Sequence, residues 1–277
     1  MGLRVGTHVM LDPVMKKGVM DPVRYGTSGT SNNNWLLKAG YSGQEMYWTI
    51  YRCMDSRLDI DPCSICQLEG KNGEHAEFSA VKWQSVNEVV MNVWEGKRKP
   101  YEVLFLKIES EVRHQWDDMC LSLDFSGTWV RELSATNKTI TCVQHWERAK
   151  EMPLSWTVTT TYCDENNQYN ASSMTTYSQG ECEETFEKGM SVLFGSANSD
   201  LTSLVSVPLK RHTSFLAEQD AEPTVPVALV STIVGTGIVE EVRQYLKDDK
   251  LFVRRTSWPK MDSSQATVLE EVYVRSH

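Results

Sequence analysis

A mainly β chain, its second half an antiparallel sandwich or barrel, is what the sequence predicts, and three observations carry the prediction. Leu154–Tyr162 (LSWTVTTTY) sets Leu154, Trp156, Val158 and Tyr162 against Ser155, Thr157, Thr159 and Thr161, the alternation of a strand with one buried face. Runs of similar texture recur at 128–133, 139–146, 172–178, 190–194, 203–209, 227–234, 250–258 and 267–275, and many short strands at regular spacing make a sandwich or barrel. Turn chemistry separates them at Asp164–Asn167, Gln179–Gly180, Gly195–Asn198 and Asp248–Lys250.

In chain order, residues 1–44 read as an irregular N-terminal arm. Small polar residues crowd Gly26–Asn34 (GTSGTSNNN) without a period of 2.0 or 3.6, and Trp35, Leu36 and Leu37 follow as its apolar contact. Residues 45–123 read as a β-rich segment ending in a helix. Met46–Met54 alternates Tyr47, Thr49 and Tyr51 against Met46, Trp48 and Ile50. Phe78–Trp83 and Tyr101–Glu109 read as strands, with Gly96–Pro100 a turn before the second. Asn87–Glu95 fits a strand or, through Val89, Val90, Val93 and Trp94, one helix face. Glu109–Cys120 predicts a short linking helix, with Val112, Trp116, Met119 and Cys120 on its apolar face. Residues 124–277 make the third segment, the barrel. Within it Ile238–Lys247 fits a helix through Ile238, Val242, Tyr245 and Leu246. Strand is preferred, because Asp248–Lys250 then turns the chain into Leu251–Trp258.

Composition narrows the function classes. At 277 residues the chain is one large domain or two modest ones. A net charge of −9 repels phosphate backbones and argues against nucleic-acid binding, and Lys97–Lys99 reads as a solvated turn. Seven cysteines cannot all pair, and Met1–Pro13 lacks the apolar region of a secretory leader. These features set the expectation of reduced thiols in the cytoplasm or another reducing compartment. No apolar run is long enough to predict a membrane span.

Chemical motifs are sparse. Cys63 and Cys66 are spaced as half a zinc site, but His75 is the one nearby candidate to join them. No metal and no cofactor is expected. Gly235 and Gly237 lack the third glycine of a dinucleotide fingerprint, and there is no nucleophile elbow or phosphate loop. His145 and Glu147 share a strand face and form the simplest acid–base pairing. Trp83, Trp129, Trp156 and Trp258 serve either as core or as a stacking surface for a flat ligand.

Two stretches together resemble the calycin superfamily of lipocalins, fatty-acid-binding proteins and phycobilin lyases. Gly127-Thr-Trp129, with Arg131 two residues on, is similar to the G-x-W opening strand of that group. Glu240–Leu246, Leu251–Ser257 and Leu269–Arg275 resemble the closing strands of phycobilin lyases, offset by about one residue. The resemblance spans residues 124–277 and implies a calycin-like antiparallel barrel with an additional N-terminal β segment. It also implies that Trp129 plugs one end against a late arginine, for which Arg254, Arg255 and Arg275 are available. Fatty-acid-binding proteins grip a ligand carboxylate with Arg-x-Tyr on the last strand. Here Tyr273 fits, and Glu271 stands in the arginine position.

Alternation decides what lines such a barrel. Leu269, Glu271, Tyr273 and Arg275 share one face of the last strand, and Val268, Glu270, Val272 and Val274 the other. If the mixed face points inward the barrel holds a polar ligand anchor; if outward, it is a solvated wall. The same choice sets Arg254 with Trp258 against Arg255 with Leu251. The expected function is binding of a hydrophobic or conjugated small molecule. By resemblance that molecule is a tetrapyrrole handed to a client protein, as in a bilin lyase. Arg131, Arg254, Arg255 and Tyr273 are its polar contacts, and Trp156 and Trp258 its stacking contacts. The alternatives are an isomerase or cyclase using Glu271, Tyr273 or His145, and a non-catalytic interaction or viral accessory protein with a self-filled barrel. The residues do not decide whether the chain is an enzyme.

Overall fold

Ten strands of the second half form one antiparallel sheet; most are alternating runs, while VALVSTIV at 227–234 is buried on both faces. They are β5 Gly127–Arg131, β6 Thr141–Arg148, β7 Ser155–Cys163, β8 Tyr169–Ser178, β9 Gly180–Thr185, β10 Pro208–Ala217, β11 Val227–Val234, β12 Ile238–Lys247, β13 Lys250–Pro259 and β14 Thr267–Arg275. The computed structural model describes residues 3–12, 15, 22–26, 38–40, 43–66, 80–93, 95–132, 141–163, 169–185, 208–234, 237–259 and 265–276. The sheet order is β8-β7-β6-β5-β14-β13-β12-β11-β10-β9. The first strand pairs with the last, Trp129 opposite Arg275 and Arg131 opposite Tyr273. The two strands at the ends of the ladder, β8 and β9, are consecutive in the chain and separated by Gln179. Gly180 takes φ +114° there, a backbone that side-chain-bearing residues avoid. The result is a nearly closed up-and-down barrel, which leaves little free sheet edge.

The strand expected at 238–247 is β12, not a helix. Its hairpin to β13 pairs Lys247 with Lys250. Asp248 and Asp249 between them take φ 50° and 58°, positive values that match the right-handed strand twist. Expected strands at 190–194 and over 203–207 lie outside the described residues, as do the turn cues at 164–167 and 195–198.

The chain separates into two compact units, Met1–Asp118 and Met119–His277. The first unit carries two small antiparallel pairs. β1 (Val9–Leu11) joins β4 (Tyr51–Cys53), and β2 (Val23–Gly26) joins β3 (Gly43–Met46). The expected 46–54 strand is therefore two short strands with Tyr47–Ile50 between them. Helices follow: α1 Ser56–Ile60, α2 Val86–Asn92, α3 Glu95–Lys107, a π-helical stretch Ile108–Arg113, and α4 His114–Ser122.

Several expectations for this segment are corrected. Tyr101–Glu109 and Gly96–Pro100 are helical, not strand and turn. Tyr101, Leu104, Phe105, Ile108 and Val112 recur at helical spacing. They include buried Leu104 and Val112, while Val103 and Leu106 stay exposed. Asn87–Asn92 resolves as helix because Ser85 and Glu88 form a reciprocal capping box. Residues 80–83 are irregular, and Trp83 lies 57% exposed with its Nε1 donating to the Leu58 carbonyl. β1 and β2 stand in the arm where no period is legible. No helix among the described residues is long and apolar enough to cross a membrane.

Candidate functional site

The register fixes which side chains face the barrel interior. Partners opposite one another in neighbouring strands share a face. One inner row therefore runs Trp129, Gln144, Thr160, Ser173. Others follow through Tyr273, Leu251 and Leu246, and through Val253, Gln244, Leu229 and Phe215.

That interior is filled at one end. Trp129, Trp146, Trp156, Phe125, Leu229, Leu251 and Val253 are at most 1% exposed. The Trp146 ring stacks on Tyr177 with centroids 5.7 Å apart, and Phe125 lies 5.0 Å from Trp146 and 5.5 Å from Trp156. Trp129 donates Nε1–H to the Phe125 carbonyl at 2.7 Å, and the Arg275 guanidinium lies 4.7 Å above its ring. Of the three arginines available for that contact, Arg275 makes it. Arg148 donates to the Leu121 and Leu123 carbonyls, which ties the end of α4 across this opening.

Toward the other end, inner-face side chains keep accessible surface and carry charge. Arg131 is 18% exposed, Glu271 12%, Arg255 21% and Glu240 13%. Arg131 Nη1 donates to Glu271 Oε1 at 2.7 Å, and the Tyr273 hydroxyl donates to Glu271 Oε2 at 3.2 Å. Arg255 lies 3.7 Å from Glu271 and 3.6 Å from Glu240. Behind this cluster Gln144 Nε2 donates to Tyr273 Oη at 3.4 Å, and Trp146 Nε1 donates to Gln144 Oε1 at 3.1 Å. A hydrogen-bonded line thus runs from the filled end to Glu271, which fixes the carboxylate by its neighbours' donors.

Leu269, Glu271, Tyr273 and Arg275 therefore share the inner face by register; Glu271 and Tyr273 are covered there, while Leu269, 54% exposed, and Arg275, near the two ends of β14, stay open to solvent. The rule that charged side chains avoid burial is met by pairing, since Glu271 and Arg131 satisfy one another. Arg255 shares that inner face with Leu251. Arg254 and Trp258 stand on the opposite face, where Arg254 pairs with Glu270 at 3.1 Å and Asp220 at 3.0 Å. Trp156 faces inward but is wholly enclosed in the aromatic packing. His145 is on the outer face, exposed, 3.1 Å from Thr128 Oγ1. It does not meet Glu271 or Tyr273, which are side by side. Gln144, Cys142, Phe125 and Glu240 are absent from the sequence-based expectation. The alternation of Cys142, Gln144 and Trp146 along β6 is the signal that places the first two.

Electrostatics make this a proton-holding cluster. Burial, reinforced by the Glu271 charge, pushes the Tyr273 phenol far above its ordinary value. Burial likewise raises the Cys142 thiol, which sits 3.5 Å from Tyr273 Oη, so it is no thiolate nucleophile at neutral pH. Burial works against the charge on Arg131, yet the Glu271 hydrogen bond and charge outweigh it and raise its pKa.

Two more phenols yield a pH prediction. Burial pushes Tyr162 and Tyr245 from 10.0 up to about 12. The unfolded chain releases these protons near 10 while the folded chain keeps them, so folding stability is full below pH 10 and falls as pH approaches 12. Urea midpoints are expected to fall steeply across that window, and Tyr162→Phe to flatten the slope. A midpoint constant through the window contradicts the burial.

Among the described residues no group of three or more His, Cys, Asp or Glu is placed to hold a metal. Cys63 is exposed and donates to the Val81 carbonyl, and Cys66 is buried; His75 lies outside the described residues.

No family model matches the chain, and no curated protein matches it. Solved structures do. The fluorescent protein UnaG, as a single-site variant, is 16% identical, covers 55% of this chain and 96% of its own, and has a TM-score of 0.32. Secretory abundant heat soluble protein 4 from Ramazzottius varieornatus is 13% identical, with 55% and 94% covered and a TM-score of 0.33. Fatty-acid-binding protein 1 of Echinococcus granulosus is 9% identical, with 55% and 98% covered and a TM-score of 0.31. The fold stands on the strand order and register of this chain itself. With its first strand paired to its last and Arg275 stacked on Trp129, the C-terminal unit is a nearly closed, up-and-down antiparallel β-barrel.

Proposed function

We propose that the barrel binds a hydrophobic small molecule at the end where Arg131, Arg255, Glu271 and Tyr273 line the inner face. The observation that supports this most is the burial gradient along the interior. Aromatic rings fill one end completely, while inner-face side chains toward the other retain accessible surface. A barrel built only for stability gains nothing from charged groups on its inner wall, since replacing a buried ion pair by packed apolar residues is often neutral or stabilising. Small-molecule sites combine apolar walls with a few placed polar groups, and this interior has that composition.

Within that class we favour a flat, conjugated ligand such as an open-chain tetrapyrrole. Handing it to a client protein is the further step that the calycin resemblance suggests, with orientation as the chain's main contribution. Glu271 and Tyr273 stand together as acid–base candidates. Both oxygens of Glu271 already accept hydrogen bonds, from Arg131 and Tyr273, which favours an anchoring role over proton transfer. A cytoplasmic setting fits the odd number of cysteines and is part of the proposal.

Titration with the neutral apolar dye Nile red tests the reading. Saturable blue-shifted emission at one dye per chain is expected, weakened by Arg255→Ala about tenfold, the loss of one hydrogen bond to a charged group. An emission that rises linearly without saturation would overturn it. A bilin soak that shifts the chromophore's absorbance supports the tetrapyrrole choice, and an unshifted spectrum removes it.

A further inference from the structure

The binding reading leaves open which head group the site accepts, and the charge arrangement around Glu271 answers it. Around Glu271, Arg131 and Arg255 contribute two positive charges, and Glu240 and Glu271 two negative ones; Arg211 adds a further cation to the inner face, over the Tyr177 ring. Glu271 sits where the donors converge. Its Oε1 takes the Arg131 hydrogen bond at 2.7 Å, its Oε2 takes the Tyr273 hydroxyl at 3.2 Å, and Arg255 Nε lies 3.7 Å away. We infer that Glu271 is a resident occupant of the anion site these three side chains would otherwise form, so that the barrel selects ligands presenting an uncharged oxygen and rejects free carboxylates. This rests on the binding reading above and specifies its ligand class.

Three physical points carry it. A ligand carboxylate would have to displace a carboxylate tethered to β14, whose effective concentration is of millimolar order or higher. The displaced Glu271 would then lie on a largely buried wall without its ion pair, with Glu240 on the far side of Arg255 as a second carboxylate, and both burial and like charge oppose that. Arg255 supplies the complementary half. Its ion-pair contacts at 3.6 and 3.7 Å are beyond hydrogen-bond reach. It keeps 21% of its side-chain surface accessible. The ion-paired cluster thus offers N–H donors while its own four charges balance. A carbonyl, ester or hydroxyl oxygen suits such donors, and a second anion does not. Any acidic group on the ligand would point out of the barrel.

The test uses one fluorophore in two forms, dansylaminoundecanoic acid and its methyl ester, titrated into the full chain. The ester is expected to bind at least about tenfold more tightly than the acid, the difference one charge-assisted hydrogen bond makes. Glu271→Gln keeps the shape of the side chain and removes its charge, leaving two guanidiniums against Glu240. In that variant the order is expected to reverse, with the acid gaining about tenfold or more. Wild-type binding of the acid as tight as that of the ester overturns the inference while leaving the binding reading intact. Failure of both forms to bind the wild type overturns the binding reading with it. Should Glu271→Gln not fold, the wild-type ratio alone decides.

Discussion

Trp129→Ala is expected to lower the unfolding free energy by about 3–5 kcal/mol, the range for emptying a core site of a large ring. The ring is 1% exposed, donates to the Phe125 carbonyl at 2.7 Å and lies under the Arg275 guanidinium at 4.7 Å. Truncation leaves a void at the filled end, strands the Phe125 carbonyl and removes the partner of a cation on β14. The first and last strands of the barrel meet here, Trp129 opposite Arg275, so the loss falls on barrel closure. Trp129→Phe keeps most of the packing and loses the N–H, and is expected to cost about 1 kcal/mol. Urea unfolding followed by near-ultraviolet circular dichroism reads both. A loss of less than about 1 kcal/mol for the alanine variant would show that the filled end does not hold the barrel shut.

Arg243→Met is expected to cost about 3–5 kcal/mol, the penalty for removing one partner of a buried ion pair. Arg243 stands on the outer face of β12, yet it is 9% exposed, paired with Glu218 at 3.1 Å and Glu241 at 3.2 Å, themselves 4% and 15% exposed. Without the guanidinium Glu218 stays enclosed with its ion pair lost, keeping the hydrogen bond from the Asp220 N–H. Adding Glu218→Gln is expected to recover part of the loss, because the buried charge then goes as well. If the double variant is less stable than the single by the full cost of a second deletion, the coupling is absent and the pair is incidental.

Much of the barrel is legible in the sequence because alternation is a local signal. Gly127–Arg131, Leu154–Tyr162 and Leu269–Arg275 each state their two faces outright, and Asp248–Asp249 marks its hairpin. The first unit is less legible, for a physical reason. Tyr101–Glu109 satisfies a period of 2 and a period of 3.6 at once. Whether Val103 or Leu104 is buried depends on what packs there, and that is not written in the segment. Pro100 and the charged run before it read as a turn, and the chain carries both inside α3.

The candidate site shows the same division. Tyr273, Glu271, Arg131 and Arg255 are nameable from the closing strands, but a strand does not say which of its faces is inside. Arg254 and Arg255 are adjacent, chemically identical and on opposite faces, and only the β12–β13–β14 register separates them. Gln144 escapes because a glutamine in a strand carries no signal until Tyr273 is placed 3.4 Å away. His145 attracts notice as a histidine and lies outside for the same reason of parity, since its neighbours Gln144 and Trp146 point in.

The central claim concerns where a ligand goes, and a crystal structure of the Nile red complex tests it most directly. The account predicts one dye per chain inside the barrel, its carbonyl oxygen at hydrogen-bond distance from Arg255, with Trp129, Trp146 and Trp156 undisturbed beneath it. Dye found only on the outer surface, with the space beside Arg131, Arg255 and Glu271 closed by protein side chains, would contradict it.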